Sequence, residues 1–263
     1  MISRLFAAES GPHVAIAPEK LFEIGGYVIT NSMFYGWIIA ITMSVLLILG
    51  MKKLTIGGAK GPMQIIDAGT EFLVSMIANS LGSREKAIRY TPMFAAIFFF
   101  ILFNNWLGLM PGVGPALEYN GNPLLRPFTA DLNGTLAMAL VGIIIVQAIS
   151  IKENGPFGHL KHYFPGKFTN PVTYLIGAFE VFTELTRLFS LGLRLFLNVT
   201  IGEILIAIFA FLGGVAGPLA ALPFVLLEIF IGLLQAYIFV ILCVSYLSVS
   251  ISNQYEPAGE PVM

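Results

Sequence analysis

Arg194 sits inside the run Ser190 to Asn198 (SLGLRLFLN), a stretch otherwise dominated by apolar residues. If that stretch lies in a membrane, the guanidinium costs roughly 2.5–3.5 kcal/mol on insertion scales, so intramembrane function is its default reading. At about 100° per residue, Glu180, Arg187, Arg194 and Asn198 fall within about 40° of one direction, which gives a long apolar helix a single polar stripe. The stripe must face protein or water rather than lipid. Arg187 and Glu180, seven residues apart, can snorkel or pair inside a bundle and merely fix packing.

The last two apolar segments hold Glu180, Glu184, Arg187, Arg194, Glu203 and Glu228. A guanidinium stays charged in a protein, so Arg194 attracts carboxylates and repels cations but cannot hand a proton on. Carboxyl groups do exchange protons, with an affinity set by burial and by neighbouring charge. Together they describe an ion path with a positive barrier. Glu203, nine residues after Arg194, lies on the opposite side of a straight helix, whereas Glu228, Gln235 and Tyr246 share one face of the following segment. Two polar sets on two sides suit two separate aqueous passages. The amides of Asn198 and Gln235 can position water or a carboxylate without titrating, and Gln235 and Tyr246 can also tie helices together by hydrogen bonds.

Other chemistries lack their residues. There is no G-x-x-x-x-G-K-S/T, no G-x-S-x-G and no H-E-x-x-H, so nucleotide or hydrolytic chemistry belongs to another chain. His159 and His162 stand three apart without Cys or carboxylate at ligand spacing, and no metal or other cofactor is expected. Cys243, the single cysteine, reads as a packing residue.

These groups have to be held by membrane-spanning elements. With 57% hydrophobic and 11% charged residues and a mean hydropathy of +0.84, the chain is a polytopic membrane protein. Its 263 residues leave no room for a separate soluble domain, and a net charge of −1 makes no case for nucleic acid. We expect one membrane domain over 1–263. It comprises a tail over 1–33, a first span over 34–51, a membrane-surface helix over 62–80, a helical hairpin over 91–151 and a hairpin of two long tilted helices over 170–252. Met1 to Ala8 is too short for a signal-peptide core, although a small cleaved leader stays open. Residues 112–130 read as a Gly- and Pro-rich connector. The two final segments meet at Gly213-Gly214 and exceed the ~30 Å hydrocarbon core, which requires tilt or bending.

The connectors after the first and third spans carry nine Lys and Arg between them, whereas the second connector carries only Arg126. By the positive-inside rule the basic connectors face inward, and the tail and the 112–130 connector face outward.

Several motifs carry a family resemblance. The run SLGLRLFLN, followed by Gly202-Glu203 and later by Leu234 to Phe239 (LQAYIF), closely resembles the subunit a family of F-type ATP synthases. Phe103 to Pro111 (FNNWLGLMP) looks like that family's second-span signature and Thr129 to Thr135 (TADLNGT) like its third. The resemblance runs over about residues 30 to 250 in the same order. It implies an all-α polytopic fold whose long tilted hairpin lies against a rotor ring, and a non-catalytic stator channel in the membrane sector. Two offset half-channels would open to a ring of c subunits, with b-type peripheral stalk subunits and the lipid bilayer as further partners. No small-molecule substrate other than H⁺ or Na⁺ is implied. Arg194 matches the family's essential arginine, Asn198 and Gln235 its polar neighbours, and Glu180, Glu203, Glu228 and Asp131 positions associated with the half-channels. This sequence has Glu228 where the best-known bacterial members carry His, and Asn31 and Gly108 where some carry Asp. A bacterial plasma membrane is the first expected location and an organelle inner membrane the second.

The alternative is a secondary ion-coupled transporter with an intramembrane arginine site. That reading prefers discontinuous helices and paired repeats, and the sequence shows neither. An intramembrane enzyme would need a nucleophile or metal set that is not visible.

Overall fold

The structure, a computed structural model, describes residues 18–51, 63–110, 113–119, 122–163 and 171–252. Lys52, Lys53 and Lys60 of the first basic connector, Lys167 of the second and the leader region lie outside the described residues. Among the described residues six α-helices dominate: α1 (Asn31–Met51), α2 (Met63–Leu81), α3 (Arg84–Gly108), α4 (Leu132–Tyr163), α5 (Pro171–Leu212) and α6 (Gly217–Ser252). Among the described residues, four stretches are long and apolar enough to cross a membrane, Arg84–Gly108, Leu132–Gly155, Thr173–Leu212 and Gly214–Ile251, with a shorter apolar stretch at Asn31–Leu46. The fold is all-α and polytopic.

Two β-hairpins add to what the sequence predicts. β1 (Lys20–Ile24) pairs antiparallel with β2 (Tyr27–Thr30), and β3 (Gly114–Tyr119) with β4 (Asn122–Leu125). The first turn is Gly25-Gly26 with φ of 60° and 85°. Positive φ at both central positions defines the hairpin turn that matches strand twist, and glycine adopts it without steric cost.

The chain groups into two compact units. The first combines Met1–Ile48, Phe99–Thr135 and Leu193–Ala236. In it the α5–α6 turn is tight: a Cβ on Gly217 would lie 2.2 Å from the Ala210 carbonyl oxygen, and Phe209 stacks on Phe224 at 3.9 Å between ring centroids. Asp131 starts α4 as its N-cap, its Oδ1 accepting from the Asn133 N–H at 3.0 Å. Its Oδ2 accepts from Ser32 Oγ at 2.7 Å, which ties α4 to the start of α1. Gly108 packs on Pro127, whose Cγ would lie 2.7 Å from an added Cβ, so an Asp there would clash.

The second unit combines Leu49–Phe98, Leu136–Gly192 and Tyr237–Met263. α2 buries Leu73, Val74, Met76 and Ile77 while exposing Asp67 and Glu71, the amphipathic pattern its sequence predicts. Lys86 of α3 pairs with Glu153 of α4 at 2.9 Å, and Asn154 donates to the Ser250 carbonyl of α6 at 2.9 Å. α4 runs past the expected end at Ile151 because its helical hydrogen bonding resumes beyond Gly155, where φ of 72° breaks the axis. His159 and His162 fall on that last piece, and their side chains lie outside the described residues.

Candidate functional site

Within the first unit, α5 and α6 meet along a seam that contains four of the predicted residues. Asn198 Nδ2 donates to Gln235 Oε1 at 2.7 Å, and Gln235 is buried. Such an amide pair satisfies polar atoms that would otherwise cost free energy in an apolar seam. One turn along α5 comes Gly202, where a Cβ would lie 2.1 Å from Glu228 Oε2. Only glycine lets the Glu228 carboxyl rest against the α5 backbone, where it is 5% exposed. Glu203 follows directly on α5, and the two carboxyl groups are close enough to interact electrostatically. The Arg126 guanidinium in turn acts on Glu203.

α6 is held in register by α3. Trp106 Nε1 donates to the Ile229 carbonyl at 2.9 Å and Asn105 Nδ2 to the Gly232 carbonyl at 3.3 Å. Both acceptors lie between Glu228 and Gln235, so the Asn-Asn-Trp signature fixes the segment that carries both groups. Gly232 permits this approach, since a Cβ there would lie 3.0 Å from Asn105 Cβ.

The two arginines of the α5 stripe differ in their surroundings. Arg194 is half-buried and, among the described residues, makes no hydrogen bond or ion pair. Arg187 is neutralised: its Nη1 lies 2.6 Å from Glu184 Oε1, and its guanidinium covers the Tyr246 ring at 4.5 Å from the centroid. The sequence places Arg187 with Glu180, seven residues away. The structure gives it Glu184 instead, because a three-residue step puts the shorter reach on the same helix face.

The remaining predicted residues stand elsewhere. Asp131 has both carboxyl oxygens engaged by the α4 N-terminus and Ser32, and Glu180 is a half-buried residue of α5 in the second unit. Sequence reasoning missed Gly202, Trp106, Asn105, Ser32 and Arg126 as supports of the site. Gly202 carried a local signal as the small residue beside Glu203, and Asn105 and Trp106 as part of the FNNWLGLMP run.

Several buried polar atoms of the first unit have no hydrogen-bond partner among the described residues: Tyr35 Oη, Asn104 Oδ1, Asn105 Oδ1, Thr129 Oγ1 and Thr200 Oγ1. Chemically, the arrangement offers two neighbouring carboxyl groups, an amide pair and a guanidinium with no partner among the described residues.

Residues 33–248 match the family model described as ATP synthase A chain. The ATP synthase subunit a of Syntrophobacter fumaroxidans is 31% identical over 251 residues, covering 93% of this chain and 94% of its own. That of Moorella thermoacetica is 30% identical over 234 residues, covering 89% and 96%. That of Bdellovibrio bacteriovorus is 31% identical over 198 residues, covering 74% and 76%.

Proposed function

The chain belongs to the ATP synthase A chain family, and from that premise we propose that it is the stator proton channel working against a ring of small carboxylate-bearing c subunits in a bacterial plasma membrane. The observation that carries this reading is Arg194, a permanent cation on a membrane-spanning helix that has no counter-ion among the described residues. A charge left bare at that depth is stable only if something else supplies the anion. On this reading the ring does so, one carboxyl at a time.

Each arriving ring carboxyl is drawn into its ionised form beside Arg194 and gives up its proton. The same positive charge repels protons and closes the direct route between the two passages. Asn198 and Gln235, joined to each other one turn away, hold water or the ring carboxyl in position without exchanging charge. Glu203 and Glu228 load protons on the outer side. Glu180 serves the inner passage. Asp131 anchors the start of α4, with both oxygens already committed. The excess length of α5 and α6, about 63 and 54 Å from their 42 and 36 residues, lets a tilted hairpin follow a curved ring. Nucleotide chemistry takes place on other subunits, and b-type stalk subunits hold this chain still.

Purification through a tag on this chain from mild detergent tests the reading. The expected result is a complex containing a ring of small carboxylate-bearing subunits and the stalk. Recovery of this chain with no ring, under conditions that preserve ATP-driven proton pumping, would contradict it.

A further inference from the structure

Arg187 and Arg194 are seven residues apart on α5, about two turns and roughly 10 Å of helix rise, and so share a face. A carboxylate travelling past that face meets two cations, and an ionised group is held by whichever one can pair with it. The structure treats the two differently. Arg187 is bound through its nitrogen to Glu184 at 2.6 Å and through its planar face to Tyr246 at 4.5 Å, with the Arg187 and Glu184 side chains only 23% and 22% exposed. A short charge-assisted contact and a cation–π contact occupy different parts of one guanidinium, its edge and its face. Arg194 has neither.

We propose that Glu184 and Tyr246 silence Arg187, so that the α5 stripe presents a single competent cation to the ring; this inference rests on the channel reading above. Glu184 cancels the charge from within the same helix, three residues away, so the neutralisation moves with Arg187 whatever α5 does. Tyr246, from α6, holds the guanidinium plane and prevents it from rotating outward. Without them a second cation would retain ring carboxylates two turns away from Arg194, and the ring would stall or slip.

The test uses the complete complex in inverted membrane vesicles, with ATP-driven proton pumping normalised to assembled complex. Glu184→Gln exposes the second cation and is expected to lower pumping about tenfold, the equivalent of one pK unit of competing carboxylate ionisation. Removing the exposed cation in Glu184→Gln/Arg187→Gln is expected to restore pumping to within about twofold, a non-additivity that a packing role would not produce. Arg187→Gln alone and Tyr246→Phe, which keeps the ring, are expected to pump normally. Unchanged pumping in Glu184→Gln, or a double variant as impaired as the single one, overturns the inference. Should Glu184→Gln assemble poorly, Arg187→Gln still decides, because a severe loss of pumping there also overturns it. Arg194→Ala in the same assay separates the two levels. Retained pumping in Arg194→Ala removes the channel reading itself, whereas its loss together with an inert Glu184→Gln removes only the silencing.

Discussion

Substituting Gly202 by Ala puts a methyl group where the Glu228 carboxyl now rests. The added Cβ would lie 2.1 Å from Oε2, 2.2 Å from Cδ and 2.6 Å from Oε1. Ordinary contact starts at 3.4 Å, so the carboxyl has to retreat by more than about 1 Å. Glu228 is 5% exposed, and its carboxyl, the far end of a flexible side chain, gives way by leaving its rotamer rather than by moving α6 against the Asn105 and Trp106 anchors. An off-rotamer displacement of this kind costs about 0.5–1.5 kcal/mol. The functional penalty is larger than the stability penalty, because a group displaced by about 1 Å from its partner can lose on the order of 100-fold in a transfer step. We therefore expect Gly202→Ala to assemble but to pump protons some ten- to a hundredfold more slowly, followed by fluorescence quenching in inverted vesicles. Glu228→Asp shortens the side chain by one methylene and should recover part of the loss in the Gly202→Ala background. Full-rate pumping by Gly202→Ala would show that the seat of Glu228 against α5 has no bearing on proton transfer.

Other substitutions separate transport from support. Glu203→Gln and Glu228→Gln should each slow proton translocation and alter its pH profile, and the double variant should be less than additive because the two form one coupled site; strictly additive rates would place the passage elsewhere. Asp131→Asn keeps a good N-cap and a partner for Ser32, so pumping should stay near normal, while Asp131→Ala should lower the thermal stability of the solubilised complex by about 1 kcal/mol. Loss of pumping in Asp131→Asn would make Asp131 a proton station instead. Trp106→Phe removes the hydrogen bond to the Ile229 carbonyl and should destabilise the complex by about 1 kcal/mol with a smaller change in pumping, measured by thermal denaturation beside vesicle assays.

The helices were legible because long apolar runs bounded by Gly, Pro and charge have few alternatives in a membrane. α5 and α6 begin and end within a few residues of expectation, and Gly213-Gly214 marks their turn as predicted. The polar stripe of α5 is read from helical period alone, which converts spacing into a shared face. What escaped the sequence depends on registry between helices. Nothing local to Gly202 says that Glu228 lies across from it, and nothing local to Trp106 says that its indole reaches α6. The two hairpins escaped because their strands are four to six residues long, too short to show alternation beside the turn residues. Arg187 illustrates the limit in the other direction. Periodicity offered Glu180 as its partner, but side-chain reach decided for Glu184.

The central claim is that Arg194 is the bare cation which discharges each ring carboxyl and bars direct flow between the passages. Measuring ATP-driven pumping and passive proton leak together, in vesicles holding assembled Arg194→Ala or Arg194→Lys complexes, tests it most directly. Arg194→Ala is predicted to abolish pumping and raise the leak, and Arg194→Lys, which keeps charge but loses the planar fork, to be severely impaired. Normal pumping with a tight membrane in either variant would contradict the account.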